Sequence, residues 1–313
     1  MIVDLPNTNS SQISKALVKI REEGGAVALG RVLTLVISTS LGEEEEAIEA
    51  ANDASREHPM RVIVVSSGEP GSGDRVPVPA DSRVDAQIRV GGDAGASEVI
   101  VVRAYGEAAT DQESLVTGLL LPDAPVVAWW PAECPSSVSQ SAIGRIAQRR
   151  ITDAAAHADP LDALQCVRRS YQPGDTDFAW TRLTLWRAQL AAVLDQPPYS
   201  PVTAVDVRGA ADSASVVLLA AWLRLQLQEE VNLELTPASK GRTGIASVAL
   251  HRPTGTIRLE RTQSNLAVLT QPNQPIHDLS LPRRNLRDCL AEELRRLDPD
   301  DLFGDVMKNW GKQ

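Results

Sequence analysis

Tryptophan and arginine are the residue types in this chain best suited to binding chemistry. Trp129 and Trp130 end a strand-like apolar run, residues 126–128, and Pro131 then stops it. Neighbouring residues on a strand point to opposite faces, so the two indoles cannot fill the same side of a sheet. We expect one indole in the core. The other is expected to cover a helix or to line the rim where an open α/β sheet meets its ligand or partner.

A second candidate set combines arginines with the tryptophans of one predicted helix. The chain has 26 arginines and 5 lysines. Tryptophan and arginine are typical anchors of protein interfaces because they combine a large buried area with directed hydrogen bonds. Core packing of the indoles and surface ion pairs of the arginines are the alternatives. The predicted partner-binding residues are Trp129, Trp130, Trp180, Arg182, Trp186 and Arg187.

Motifs for catalysis or cofactor binding are absent from the sequence. The turn after the first buried strand, residues 38–42, carries no glycine fingerprint and no P-loop lysine, and four glutamates follow it. Acidic side chains at a helix start repel a phosphate. The four histidines lie apart, without the i, i+4 spacing of a helical metal site. No catalytic residue, cofactor or metal site is therefore predicted.

Composition excludes several partners. The net charge is −10, from 31 basic and 41 acidic residues, which argues against attraction to nucleic acid or to an anionic membrane. The longest apolar run, residues 216–223, is less than half a membrane span, and the first residues do not form a signal peptide. Cys134, Cys166 and Cys289 lie far apart without C-x-x-C spacing. Reduced thiols and a cytoplasmic location are predicted.

The hydrophobic pattern predicts two domains, residues 1–170 and 171–313. The first is predicted to be an α/β domain with a mixed, largely parallel sheet flanked by helices. Apolar strands at 32–37 and 61–65 enclose a helix at 42–57, and this β-α-β spacing is typical of a parallel pair. Strands at 84–90 and 98–105 are expected to form a hairpin.

The second domain is predicted to be α+β. A long helix over 177–194 and a very apolar helix over 212–228 precede three strands within 244–269. Turn residues separate these strands, which predicts an antiparallel meander. A helix over 284–297 closes the order of helices first and sheet afterwards.

Three segments resemble one protein family. They are Leu-Leu-Leu-Pro-Asp-Ala-Pro-Val-Val-Ala-Trp-Trp-Pro at 119–131, Asp-Phe-Ala-Trp-Thr-Arg-Leu-Thr-Leu-Trp-Arg at 177–187, and Leu-Ala-Glu-Glu-Leu-Arg-Arg-Leu-Asp-Pro-Asp at 290–300. Together they are similar to the OpcA proteins, the glucose-6-phosphate dehydrogenase assembly proteins, of the actinobacterial type. The first two segments are the more specific, because the third is a common helix pattern.

The resemblance implies a non-catalytic partner that binds and activates glucose-6-phosphate dehydrogenase and promotes its active oligomer, on which NADPH supply would depend. The family supplies no catalytic residues to carry over, and self-association of this chain is left open. An alternative function remains from the residues themselves. Arg182, Arg187 and Arg208 could converge on a phosphate at the sheet rim, which is the chemistry of a sugar-phosphate sensor or enzyme.

Overall fold

The computed structural model describes residues 1–24, 32–68, 82–91, 98–237 and 244–310. The chain divides into two compact units. The first contains residues 1–152, 174–176 and 286–299, and the second contains residues 153–173, 177–285 and 300–313. Ten helices are present in the described residues: α1 (Ser10–Gly24), α2 (Glu45–Ala54), α3 (Gln112–Thr117), α4 (Ala142–Ile146), α5 (Pro160–Ser170), α6 (Phe178–Thr181), α7 (Thr184–Leu194), α8 (Ala214–Leu227), α9 (Leu286–Arg295) and α10 (Asp301–Asn309).

The first unit is built on an eight-stranded mixed sheet. Its spatial order is β1-β4-β5-β3-β2-β6-β7-β8. The parallel strands β5, β3, β2, β6 and β7 form its centre, and the predicted hairpin of β4 and β5 is antiparallel. The strands are β1 (Ile2–Leu5), β2 (Leu33–Ser40), β3 (Met60–Ser67), β4 (Arg83–Arg89), β5 (Glu98–Tyr105), β6 (Val126–Trp129), β7 (Arg149–Thr152) and β8 (Asp175–Asp177).

The order of the five parallel strands indicates where a sheet of this kind binds its ligands. Counted from β2, the five parallel strands lie in the order 3-2-1-4-5, which is the order of a dinucleotide-binding sheet. Ligands of such sheets bind in the crevice where the order reverses, which here lies between β2 and β6. Strands β2, β3 and β5 are buried over most of their length, as expected for parallel strands covered on both faces. The predicted α/β class is confirmed.

The second unit contains a six-stranded mixed sheet in the order β10-β9-β11-β12-β13-β14. The predicted meander corresponds to β11, β12 and β13, and β14 extends it. Strands β9 and β10 are parallel and are joined through α8, so this unit also contains a β-α-β element. The strands are β9 (Ala204–Ala210), β10 (Val231–Thr236), β11 (Ile245–Arg252), β12 (Gly255–Arg261), β13 (Leu266–Thr270) and β14 (His277–Ser280).

The helix predicted over 177–194 is divided in the structure. The Leu183 amide donates to the Trp180 carbonyl, three residues back, at 2.9 Å, and the Arg182 amide donates to the Phe178 carbonyl at 2.8 Å. Such a three-residue bond tightens the helix locally. The axis is therefore interrupted between α6 and α7, although the apolar spacing continues across the break.

The predicted domain boundary at residue 170 stays a prediction, and α5 and α9 are grouped with units that the order of the chain does not indicate. Helix α5 contributes Ala163, Leu164 and Val167 to the core of the second unit. Helix α9 instead belongs to the first unit, where the Ala291 carbonyl lies 3.1 Å from His58 Nε2. Apolar periodicity shows that a helix has a buried face, but it does not show which core that face joins.

A buried ion-pair network holds β3 and β5 to α1. Glu98, whose side chain is 1% exposed, accepts from Arg21 Nη2 at 2.8 Å and from Arg61 Nη2 at 3.1 Å. Arg61 is itself 7% exposed and also donates to the Leu119 carbonyl. A buried guanidinium requires such partners, because its desolvation is costly.

Substitution Glu98→Ala is expected to lower the free energy of unfolding by about 3–5 kcal/mol, because it leaves the Arg61 charge buried without its carboxylate. The matched control is Glu57→Ala, which removes an exposed pair with Arg295 and is expected to cost less than about 1 kcal/mol. Urea denaturation of both variants provides the measurement. Equal losses would show that burial does not govern this network.

Candidate functional site: an arginine-lined cavity in the second unit

The helix start that would bind a nucleotide phosphate in the first unit carries a buried carboxylate instead. Glu44 is the N-cap residue of α2 and is 4% exposed. Its Oε1 accepts from Ser66 Oγ at 2.7 Å and from Arg103 Nε at 3.2 Å, and Glu45 and Glu46 follow in the first turn. The negative charge that a phosphate would bring to this helix is therefore already supplied by the protein.

Trp129 and Trp130 are both buried, at 0% and 2% exposure. Trp130 belongs to an apolar cluster that also contains Ile143 of α4. Neither indole forms an exposed rim. Their role in partner binding stays a prediction, and in this conformation a partner would not reach either ring.

Asp153 and Arg182 form an ion pair in the second unit. Arg182 Nη1 and Nη2 donate to the two oxygens of Asp153, each at 2.7 Å, which is the bidentate geometry of a strong ion pair. Asp153 is 3% exposed and Arg182 is 23% exposed. Asp153 also accepts from the Ala155 amide at 3.2 Å, so its position is fixed from the backbone.

The neighbouring Asp177 fixes the helix that carries Arg182. Its carboxylate accepts from the Ala179 amide at 2.8 Å, which caps α6, and from the Ala154 amide at 2.9 Å. Ser215 Oγ donates to the Ala179 carbonyl at 2.8 Å and joins the start of α8 to α6. The start of α6, the turn at 154–156 and the start of α8 are therefore held together by polar contacts.

The remaining predicted residues of α6 and α7 make contacts within the second unit, and their role in partner binding stays a prediction. Trp180 is 1% exposed, and its Nε1 donates to Asp300 Oδ2 at 2.8 Å. The Arg187 guanidinium lies 3.8 Å from the centre of the Trp180 ring, a cation–π contact. Trp186 is 3% exposed, and the Arg261 guanidinium lies 5.5 Å from its ring centre.

A cavity of about 330 Å³ opens beside these residues, wholly within the second unit. Its lining combines the first residues of α8, Trp186, one carboxylate and four guanidinium groups. Pockets of this size hold small molecules. The carboxylate is Asp212, and the arginines are Arg182, Arg261, Arg283 and Arg284.

Two of these arginines are held by backbone carbonyls. Arg284 Nη1 donates to the Thr181 carbonyl at 3.1 Å. Arg261 Nη1 donates to the carbonyls of Leu281 at 2.6 Å and Ser264 at 2.7 Å. Burial lowers the pKa of Arg261 to about 10, with a further contribution from the nearby positive charge of Arg283. Burial is the larger of these two causes, and the Arg283 charge acts in the same direction.

Glycine allows the backbone to approach closely here. A Cβ atom on Gly209, near the end of β9, would lie 2.9 Å from the Gly244 carbonyl oxygen and against Val216 of α8. Gly244 has a φ of +73°, and a Cβ atom there would lie 3.1 Å from Arg283 Nη1. Side chains at these positions would displace the start of α8 or fill the space in front of Arg283.

A second cavity of about 480 Å³ adjoins the first and shares Arg261, Arg283, Gly244 and Ile245 with it. Arg208 lies in this second cavity and pairs with Glu234 at 2.7 Å. The three arginines that the sequence proposed for a phosphate site are therefore not brought together. Arg182 lines the first cavity, Arg208 lines its neighbour, and Arg187 stacks on Trp180.

The arginines that complete the cavity were not in the predicted set. Arg261 ends a meander strand, and Arg283 and Arg284 precede the closing helix. The adjacency of Arg283 and Arg284 in the sequence was a weak signal.

Within the described ranges, no group of three or more His, Cys, Asp or Glu residues is arranged to hold a metal ion. No helix of those ranges is long and apolar enough to cross a membrane.

Fold and site define the class of this molecule as a two-unit α/β protein whose first sheet has the dinucleotide-binding strand order without a phosphate-binding helix start. Residues 51–169 match the family model described as the glucose-6-phosphate dehydrogenase subunit N-terminal domain, and residues 173–307 match that of the C-terminal domain. The chain belongs to the OpcA family of glucose-6-phosphate dehydrogenase assembly proteins, as the resemblance predicted. No curated protein matches the chain significantly.

Three solved structures illustrate what the chain is similar to at low sequence identity. An oxidoreductase from Sinorhizobium meliloti is 11% identical, with 88% of this chain and 86% of that chain covered and a TM-score of 0.43. An oxidoreductase from Pseudomonas syringae is 8% identical, with coverages of 90% and 95% and a TM-score of 0.45. The apo scyllo-inositol dehydrogenase from Lactobacillus casei is 12% identical, with coverages of 90% and 90% and a TM-score of 0.41. These scores are too low to carry a functional argument.

NADPH is expected not to bind the isolated chain at micromolar concentration, because Glu44 and the following glutamates repel phosphate at the start of α2. Enhancement of NADPH fluorescence on titration with protein measures this, and a dehydrogenase serves as the positive control. A saturable signal in the micromolar range would contradict this account of the first unit.

Substitution Trp180→Ala is expected to lower the free energy of unfolding by about 3–5 kcal/mol, as for other fully buried aromatic side chains. Arg187→Ala, which removes the guanidinium stacked on that ring and its contact with Thr184, should cost about 1 kcal/mol. Thermal or urea unfolding compares the two variants. A small loss for Trp180→Ala would show that the indole is available for other contacts.

Proposed function

We propose that this chain is a non-catalytic subunit that binds glucose-6-phosphate dehydrogenase and promotes its active oligomer in the oxidative pentose phosphate pathway. The observation that carries the proposal is the pair of family matches, which extends over residues 51–169 and 173–307. Both family descriptions name a subunit of that dehydrogenase. The cytoplasmic location predicted from the sequence is part of this proposal.

The geometry of the first unit supports a non-catalytic role. A dehydrogenase of this strand order binds its cofactor phosphates at the first helix start of the parallel sheet. Here that helix start is α2, and the Glu44 carboxylate is hydrogen-bonded to Ser66 and Arg103 there. The sheet keeps the order of a nucleotide-binding fold, while its cofactor position serves an internal polar network.

Activation by such a subunit requires unequal affinity for two states of the enzyme. A partner that binds active and inactive forms equally shifts no population, however tightly it binds. We propose that accessible guanidinium groups contribute to this contact, with Arg187 held in place by the Trp180 ring. The buried tryptophans would then act by positioning the arginines.

Mixing the purified chain with the dehydrogenase of the same organism tests the proposal. We expect the two proteins to co-sediment, the dehydrogenase to shift to a larger assembly, and its turnover to rise at micromolar subunit concentration. Analytical ultracentrifugation and an NADPH-forming assay provide the measurements. Absence of both co-sedimentation and any rate change would refute the proposal, and binding without a rate change would limit the chain to a scaffold.

The variant Arg187→Ala is expected to reduce activation severalfold, because a rigid interfacial arginine typically contributes more than about 1 kcal/mol to binding. Its melting temperature should stay close to that of the parent. Arg224→Ala is the matched control, since Arg224 is an exposed arginine near the end of α8. Activation of the dehydrogenase is measured against the concentration of the parent and of each variant. An equal loss of activation in both variants would show that Arg187 is not an interface residue.

A further inference from the structure

We infer that the arginine-lined cavity of the second unit binds a phosphorylated small molecule with a hydroxyl-bearing body, whose phosphate lies against the start of α8. This inference does not depend on association with the dehydrogenase. It concerns a ligand site on the chain itself, formed by residues that belong to one compact unit.

The charge of the lining is the first argument. Four guanidinium groups face one carboxylate, that of Asp212, which is exposed. Asp153 neutralises Arg182. Among the described residues, no carboxylate lies within ion-pair distance of Arg261 or Arg283. An anion with two negative charges would balance these two guanidinium groups. Phosphate suits them, because its oxygens match the planar donors of arginine.

The electrostatic state of Arg261 supports the same conclusion. Burial and the charge of Arg283 lower the pKa of Arg261 to about 10, so its surroundings disfavour the charged form of Arg261. An anion placed between Arg261 and Arg283 would stabilise both charged forms. Arg261 Nη1 is engaged by two carbonyls, which fixes the direction of the guanidinium before any ligand arrives.

The start of α8 adds oriented backbone donors. This helix has 14 residues, no side-chain cap at Ser213 and no acidic residue in its first turn. Helix starts of this kind favour anions through their free amide groups and their dipole. Helix α2 of the first unit, by contrast, begins with glutamates. Arg103, beside the start of α2, is paired with Glu44, whereas the arginines beside the start of α8 accompany a first turn without acidic residues.

The adjoining cavity indicates the rest of the ligand. It is lined by hydroxyl, amide and carboxylate groups that include Thr236, Ser247 and Gln263. Such groups suit hydroxyl groups of a polyol body. The aromatic residue of the first cavity, Trp186, is 3% exposed and lies under Arg261, so it offers no free face for stacking a nucleobase. A sugar phosphate therefore fits these features better than a nucleotide.

Isothermal titration of the isolated chain tests the site, with glucose 6-phosphate, inorganic phosphate, glucose and NADP as four separate probes. We expect glucose 6-phosphate to bind more tightly than inorganic phosphate, and glucose alone to give no signal. Each phosphorylated probe that binds should also raise the melting temperature. Tighter binding of NADP than of glucose 6-phosphate, or no binding of any phosphorylated probe, would overturn the inference.

Three single variants locate the binding. Arg283→Ala should weaken glucose 6-phosphate binding about tenfold or more, because it removes a charge-assisted contact from a side chain that is exposed and unpaired among the described residues. Asp212→Asn should strengthen binding about two- to fivefold, because it removes the opposing charge. Arg224→Ala removes the same charge from the far end of α8 and should leave binding unchanged.

These variants separate the site from general charge effects. Equal weakening by Arg283→Ala and Arg224→Ala, or no gain from Asp212→Asn, would contradict a site at this cavity. Since the titrations contain no dehydrogenase, their failure leaves the proposed partnership untouched. Failure of the partnership likewise leaves a positive titration valid.

Discussion

The second unit depends on the bidentate pair of Asp153 and Arg182. Asp153 precedes the turn at 154–156, Arg182 lies at the end of α6, and the pair is largely shielded from water. Asp177, one residue before α6, holds the same region through two backbone amides. Because Ser215 then joins the start of α8 to this cluster, the position of the arginine-lined cavity follows from it. Removing Asp153 would release Arg182 and the Ala155 amide, and removing Asp177 would release the Ala154 amide and the start of α6.

The two β-α-β elements of the chain treat their helix starts in opposite ways. In the first unit Glu44 brings its own negative charge to α2 and is fixed by Ser66 and Arg103. In the second unit the start of α8 has no side-chain cap and faces arginines. The same backbone geometry can therefore be closed to anions or prepared for them by the choice of a few neighbouring side chains.

Sequence reasoning identified the α/β first unit, the meander and most helices, because buried strands and amphipathic helices leave clear periodic patterns. It missed β10 and β14, whose residues are largely exposed at sheet edges and so lack a strong apolar pattern. It also placed Arg187 and Arg208 with Arg182, whereas Arg261, Arg283 and Arg284 occupy the cavity. These three residues lie far from Arg182 in the chain. Only the path of the chain through the sheet brings them near, and no local spacing reports that path.

The carboxylate of Asp300 has a consequence for how this protein can be shortened. It caps α10 through the Phe303 amide at 2.9 Å and also accepts from Trp180 Nε1, while the Phe303 ring lies 5.5 Å from that indole. Helix α10 therefore packs beside Trp180, on which Arg187 is stacked. Proteolysis before residue 300 would therefore expose the Trp180 indole to solvent. The shortened protein would also lose the packing that holds Arg187 in place.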